Sequence, residues 1–147
     1  MTAVSAWVGL QAYLWRMMND IANRQDIALL VDRFYGKVRV DELLGPIFND
    51  VAQVDWDEHL ETLTNFWNTV LMGEAGYKGN PMLVHILLNK KVPLAGKHFD
   101  HWLAMFRATI DELFAGEKAD TIKEKAAMMA QLIQYKVEQS GKPGFLA

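Results

Sequence analysis

Apolar residues recur along most of the chain at intervals of three and four, the spacing that places side chains on one face of an α-helix. No stretch alternates between apolar and polar residues over the length of a strand, so the chain is predicted to be all-α. The pattern predicts five helices, which run from Asp26 towards Gly45-Pro46, from about Asp55 to Gly73, from Pro81 to before Pro93, from about Lys97 to Gly116 and from about Lys118 past Val137.

A further apolar stretch, MTAVSAWVGLQAYLWRMMND, precedes these helices. No basic residue comes before its apolar part, and Arg16 and Asp20 interrupt it before the roughly 20 residues that a membrane span needs. We therefore interpret it as an extra N-terminal helix of a cytoplasmic protein, with no membrane association. The predicted organisation is an N-terminal helical extension at 1–22, one globular domain at 23–139 and a flexible tail at 140–147.

Composition narrows the possible functions. With 51% hydrophobic and 22% charged residues among 147, the chain is typical of one globular domain. Its net charge is −3 and its lysines and arginines are scattered, which argues against nucleic acid as a partner. The chain has no cysteine, which excludes disulfides, thiolate nucleophiles and cysteine-ligated metals, and leaves His, Met, Tyr and carboxylates as metal ligands.

His85 is the most unusual polar residue, because it lies within the apolar segment PMLVHILL. A histidine in such a helix is most often a core residue that bonds backbone carbonyls. A second histidine, His59, lies on the apolar side of an aromatic-rich helix, and Tyr35 directly follows the core residue Phe34. Each buried polar group without a partner costs about 1 to 3 kcal/mol, so the three predict either a hydrogen-bond network or a bound ligand.

Four motifs carry a resemblance to a known family. FYGKVRVDELLGPIF, WDEHLETLTNFW, GYKGNPMLVH and HFDHWLAMF follow one another in an order and spacing that resemble the third group of truncated haemoglobins. The resemblance extends from about Asp26 to Val137. It implies a shortened globin fold, in which helices are sandwiched around a haem, with the N-terminal helix as an addition.

The resemblance also implies roles for five residues. His85 matches the proximal histidine that ligates the haem iron. Tyr35, His59 and Trp102 match the distal residues that stabilise a bound ligand, and Phe48 matches a phenylalanine that packs on the haem. The apolar surroundings of His85 agree with this role, because a ligating imidazole nitrogen must stay neutral.

Further residues are predicted to contact the haem. Leu63, Phe66 and Trp67 follow His59 at the spacing of one helix face, but the same spacing would serve a plain helix core equally well. An aromatic residue at helical spacing, such as Trp102, is also more often part of a core than of a cofactor site. The predicted haem-binding residues are His85, Phe48, Leu63, Phe66, Trp67, Met82, Trp102 and Phe106.

The pair His98 and His101 has a spacing that could hold a metal, although we interpret both as solvated side chains, one of them near a haem propionate. Lys90, Lys91 and Lys97 are the other candidates for that propionate contact. The predicted metal ligand is His85 alone.

The expected cofactor is a noncovalent b-type haem, since no cysteine could link it. The expected ligands are O2 or another small molecule such as NO, CO, cyanide or peroxide, with slow oxygen release and a role in redox chemistry, detoxification or sensing. Peroxidase-like or nitric oxide dioxygenase activity, with an unknown reductase, stays open as an alternative. So does a haem-free helical interaction module. The chain is expected to be a monomer or a small homo-oligomer.

Overall fold

The computed structural model describes residues 3–143, and for residues 11–17 it describes the backbone alone. Helices account for its regular structure, and the described residues include no strand, which confirms the all-α prediction. In chain order the elements are α1 (Ala3–Met17), α2 (Arg24–Val38), a π-helical turn (Ile47–Val51), α3 (Trp56–Met72), α4 (Pro81–Lys91), α5 (Gly96–Leu113) and α6 (Glu117–Ser140). Half of the predicted flexible tail, residues 144–147, lies outside the described residues.

Short polar side chains determine where three helices begin. Asn23, Asp55 and Asn80 each accept a bond from a backbone N–H in the first turn of α2, α3 and α4. Such N-caps supply acceptors for N–H groups that have no partner within the helix. α3 ends at Gly73, whose φ of 71° lies in the left-handed region that glycine adopts without strain. These signals agree with the predicted starts of the second and third helices.

α2 ends at Val38, the last apolar residue of its predicted run. Gly45 and Pro46, which were predicted to break the helix, instead begin a new helical turn that leads into the π-helical turn. Asp41 shapes the connection between them, because its Oδ2 accepts bonds from the backbone N–H groups of residues 43 and 44 at 3.1 and 2.9 Å. These bonds offer the backbone an alternative to continued helix, as bonds to Asp side chains often do.

The core forms where α2 crosses α3 and α5 and where α6 packs against α3, α4 and α5. Fully buried side chains from three helices meet there, and each large apolar one contributes about 1.5 to 3 kcal/mol relative to exposure. The most deeply buried members are Ile27, Leu30, Val31, Phe34, Val38, Phe106, Ile110, Ile122 and Ala126. α2 thus places one whole face in the core, which fixes the backbone beside Tyr35.

The segment between α1 and α2 is joined to the start of α6. The carboxylate of Asp20 accepts bonds from the backbone N–H groups of Lys118 and Ala119 at 2.8 and 2.9 Å. Gly116 permits this approach, because its φ is 145° and a Cβ there would lie 2.5 Å from the Asp20 carboxyl carbon. Ile21 is only 3% exposed and belongs to the core. The division at residue 22 stays a prediction, but Asp20 and Ile21 both contact the globular domain.

α1 confirms the predicted extra helix. Residues 3–10 are all exposed, although several are large and apolar, including Val4, Trp7 and Val8. The side chains of Leu14 and Trp15 in the same apolar stretch lie outside the described residues. Among the described residues, the helices are all too short or too polar to cross a membrane.

Candidate functional site

His85 lies in the second turn of α4 and has one ring nitrogen already engaged. Its Nδ1 lies 2.6 Å from the carbonyl oxygen of Pro81, four residues earlier. A carbonyl can only accept, so Nδ1 must carry the proton and Nε2 keeps its lone pair. Burial lowers the pKa of His85, and the bond to Pro81 opposes that shift only in part. The imidazole is therefore neutral at pH 7 and prepared to bind a metal through Nε2.

Met82 shares the side of α4 that carries His85, because it lies three residues earlier, and it is partly buried. By contrast, Leu83 and Leu87 lie on the opposite side and are about half exposed, at 49% and 50%. None of the side chains of α4 is fully buried. The helix thus presents His85 and Met82 inward without becoming part of the main core.

Tyr35 lies at the inner end of α2 and is 4% exposed. Burial raises the pKa of Tyr35 to about 12, and a hydrogen bond from the Trp102 side chain opposes the rise. The indole N–H of Trp102 donates to the phenol oxygen, since an indole cannot accept. The phenol therefore keeps its proton at neutral pH and has that proton free for another acceptor.

His59 faces Tyr35 from the first turn of α3. Its ring centroid lies 5.6 Å from that of Tyr35 and 5.9 Å from that of Phe48, edge to face in both cases. Its Nε2 is buried and has no hydrogen-bond partner among the described residues. Burial lowers the pKa of His59, and the nearby His85 lowers it further by charge repulsion. The structure thus brings together Tyr35, Phe48, His59 and Trp102, which we call the distal cluster.

The other predicted haem-contacting residues lie at different depths. Trp67 and Phe106 are 2% and 1% exposed and pack with their ring centroids 5.0 Å apart. Trp102 lies on the same stack, 5.0 Å from Phe106. Leu63 is partly buried and packs against the core, while Phe66 is almost fully buried beside Trp67. Both interpretations of this aromatic group, core and cofactor wall, stay open.

Three residues of the site were missed by the sequence analysis. The Trp56 ring stacks on Phe48 with centroids 5.9 Å apart, and its indole N–H donates to the side-chain oxygen of Asn49 at 3.1 Å. The guanidinium carbon of Arg39 lies 4.8 Å from the centre of the Trp56 ring. One signal was available for Trp56, since it precedes His59 by three residues and shares its helix face. No sequence pattern points to Arg39 or Asn49.

His98 and His101 are both partly exposed, and each also has a partner within the protein. Nδ1 of His98 accepts a bond from the backbone N–H of Ala95 at 2.9 Å, and Nε2 of His101 lies 2.8 Å from Oδ1 of Asp41. Each ring is therefore engaged with the protein. Residues 3–143, with the side chains of 11–17 set aside, contain no cluster of three or more His, Asp or Glu residues suited to a metal ion. Any metal at His85 must then bring other ligands with it.

A cavity of about 570 Å³ lies beside α6, where Val70, Met128, Leu132 and Tyr135 are among its lining residues. It shares no lining residue with the distal cluster or with His85. Cavity volume therefore does not locate the site. The better guide to the site is that His85, His59 and Tyr35 lie in one apolar region, because these are the side chains that could bind a ligand.

The comparisons with known proteins agree with this arrangement. The family of bacterial-like globins matches residues 17–137. The chain is 34% identical over 128 residues to the group 3 truncated hemoglobin of Campylobacter jejuni, which covers 85% of this chain and 98% of that protein. The crystal structure of a group III truncated hemoglobin from Campylobacter jejuni superimposes with a TM-score of 0.73 and 33% identity, covering 85% of this chain and 98% of that one.

The chain therefore belongs to the bacterial-like globins. Within them it is a member of the truncated haemoglobins, in their third group. Membership implies a haem and small gaseous ligands, and the residues present fit a haem. His85 offers a neutral nitrogen that can ligate iron, and the buried Nε2 of His59, which has no partner in the described part of the chain, offers a second polar contact.

Proposed function

We propose that the protein binds a b-type haem noncovalently through Nε2 of His85 and holds a small diatomic ligand beneath Tyr35, His59 and Trp102. One observation carries the proposal. His85 donates its Nδ1 proton to Pro81, at 2.6 Å, within an environment that keeps the ring neutral. With Nδ1 protonated and bonded to Pro81, Nε2 keeps its lone pair and can ligate the haem iron.

Bound haem supplies an iron atom that can bind small ligands and exchange electrons. The chain supplies the donors around it. Tyr35 has its phenol proton available, because Trp102 donates to the phenol oxygen and so fixes its direction. Trp102 is then a residue that orients Tyr35, and its own N–H is already in use. His59 adds a second polar group, since its Nε2 has no partner among the described residues.

These donors favour slow ligand release. A ligand that draws negative charge accepts a charge-assisted hydrogen bond worth about 1.5 to 3 kcal/mol. The surroundings strengthen the effect, because Tyr35 is almost fully buried and water cannot compete for its proton. Retention of O2 would suit redox chemistry, detoxification or sensing better than oxygen delivery.

The same donors support a second candidate, a haem enzyme with peroxidase-like or nitric oxide dioxygenase activity. Tyr35 and His59 are two separate polar groups in one apolar site, and a donor beside a departing oxygen can assist the cleavage of an O–O bond. This candidate requires a reductase or another electron source. It differs from ligand storage in one measurable property, which is turnover.

The proposal is tested by titrating the purified protein with haemin and following Soret absorption. We expect one haem per chain, and a protein that develops no Soret band would instead be a haem-free interaction module. Steady-state assays with peroxide and with nitric oxide, beside the oxygen dissociation rate, then separate the two candidates. Slow release without turnover supports binding or sensing, and turnover under a reductant supports the enzyme.

A further inference from the structure

We propose that the Trp56 ring closes the distal cluster, that Arg39 and Asn49 hold this ring in place, and that its displacement controls ligand entry. The inference rests on the proposed function, because a cover matters only if a ligand enters beneath it. We call Trp56, Arg39 and Asn49 the distal cover. It involves none of the residues to which the resemblance gives a role.

The side chains form layers of increasing burial. Arg39 and Asn49 are exposed, while Trp56 and Phe48 beneath them are partly buried. Below these lie Tyr35, at 4% exposure, and the buried Nε2 of His59. Trp56 contacts both of these inner residues, with ring centroids 6.0 Å from Tyr35 and 5.7 Å from His59. A path from solvent to these polar groups on this side must therefore displace the Trp56 ring.

Two polar contacts hold that ring in place. Its indole N–H donates to Asn49 Oδ1 at 3.1 Å, and the Arg39 guanidinium lies over its face, 4.8 Å from the ring centre. Asn49 Nδ2 in turn donates to the backbone carbonyl of Arg39 at 3.0 Å, which closes a ring of three residues. Both contacts on Trp56 come from exposed side chains, so each is weak enough to break often.

The three residues also come from three different elements. Arg39 is the C-cap of α2, which carries Tyr35, and Trp56 begins α3, which carries His59. Asn49 lies in the π-helical turn beside Phe48. Opening of the cover would therefore loosen a junction between the elements that position the distal cluster, without disturbing the buried core behind it.

The test measures carbon monoxide association with the reduced haem protein by flash photolysis. Carbon monoxide is uncharged, so removal of Arg39 does not change its attraction to the protein. If the open fraction limits entry, the rate rises in proportion to that fraction. We expect Asn49→Ala to raise the rate about two- to tenfold, Arg39→Ala roughly two- to fivefold and Trp56→Ala roughly tenfold or more.

Matched controls use exposed neighbours that do not contact Trp56. Asp50→Ala changes the exposed residue next to Asn49 in the π-helical turn, and Arg33→Ala removes an exposed arginine from α2. Both should change the rate by less than about twofold. Trp56→Phe keeps a ring that can stack on Phe48 but loses the N–H, so it should resemble Asn49→Ala and should fold even where Trp56→Ala does not.

A second readout does not involve ligand binding. The exchange rate of the Trp56 indole proton with solvent, measured by NMR, should increase in Asn49→Ala and remain unchanged in Asp50→Ala. If the protein bound no haem, the proposed function would be wrong. The exchange measurement would still test the bond between the Trp56 indole N–H and Asn49.

Three results would overturn the inference. One is an association rate in Trp56→Ala and Trp56→Phe within about twofold of the parent. Another is equal rates in Asn49→Ala and Asp50→Ala. The third is that Trp56→Ala raises the association rate in the parent protein but not in a protein that also carries His59→Leu. Trp56 would then act only by holding His59.

Discussion

His101 in α5 and Asp41 in the turn after α2 form a hydrogen-bonded pair, with Nε2 and Oδ1 2.8 Å apart. Asp41 also accepts bonds from the backbone N–H groups of Leu43 and Leu44, at the start of the corner towards Phe48. Burial tends to raise the pKa of Asp41, but the bonds from His101 and from that backbone outweigh it and lower the pKa. The pair therefore links the helix that carries Trp102 to the corner that carries Phe48.

The first prediction concerns acid stability. Because the pKa of Asp41 is lower in the folded state than its ordinary value near 3.9, its contribution is complete above that value. It is lost as pH falls through the folded-state pKa. Replacing His101 with alanine removes one cause of the lowering, so acid unfolding should begin at a higher pH. Circular dichroism at 222 nm during an acid titration measures this.

A suitable control for that experiment is Arg107→Ala, which removes an exposed cation from the same helix. It should leave the acid midpoint close to that of the parent. Equal midpoints for the parent and His101→Ala would show that the pair contributes nothing to folding.

The second prediction concerns His85. His85→Gly should lose stable haem retention, and added imidazole should restore it in part by supplying the missing nitrogen. His59→Gly is the matched control and should retain haem without imidazole. The apoprotein should also melt below the haem-bound form, since a ligand at 100 times its dissociation constant adds about 2.7 kcal/mol. An unchanged spectrum and haem affinity in His85→Gly would rule out this residue as the ligand.

The third prediction concerns the oxygen dissociation rate. Tyr35→Phe removes a bond worth about 1.5 to 3 kcal/mol, so release should become roughly 10- to 150-fold faster. Trp102→Phe should have a smaller effect, because Trp102 acts through Tyr35. His59→Leu should mainly change ligand entry. Stopped-flow release and flash-photolysis rebinding separate the two rates, and a Tyr35→Phe change within about twofold would contradict the distal role of the phenol.

The fourth prediction concerns the N-terminal extension. Deleting residues 1–18 should keep haem binding and the fold, while removing exposed apolar side chains that could associate between chains. Deleting residues 1–22 also removes the Asp20 cap and buried Ile21, which should lower the free energy of unfolding by about 2 to 5 kcal/mol. Thermal denaturation and size-exclusion chromatography of both truncations measure this. Equal stability of the two would show that Asp20 and Ile21 contribute little.

Much of the fold could be predicted from the sequence because helix-forming information is local. Apolar spacing, the caps at Asp55 and Asn80 and the stop at Gly73 all lie within a few residues of the elements that they define. The helical turn at Gly45 and Pro46 was not predicted, because the Asp41 side chain bonds the backbone of the turn that precedes it. The spacing of apolar residues does not reveal such side-chain-to-backbone bonds.

The candidate site was predictable only where a residue was unusual for its surroundings or belonged to a recognised motif. His85, His59 and Tyr35 are polar groups in apolar segments, and Trp102 was identified through its motif. Arg39 and Asn49 are ordinary exposed residues from separate elements, so only the folded chain brings them to Trp56. The spacing of His98 and His101 likewise did not indicate their actual partners, the Ala95 backbone and Asp41.

The bonds between Asp20 and the first turn of α6 have a consequence for the order of folding. They join positions 98 and 99 residues apart, so on the ribosome they can form only after α6 has been synthesised. Closing so long a loop costs entropy that such a cap alone does not recover, which makes it a late event. We expect Asp20→Ala to speed unfolding while leaving the refolding rate nearly unchanged. The bonds between Asp20 and α6 would then slow unfolding, and so lengthen the lifetime of the folded chain, without speeding folding.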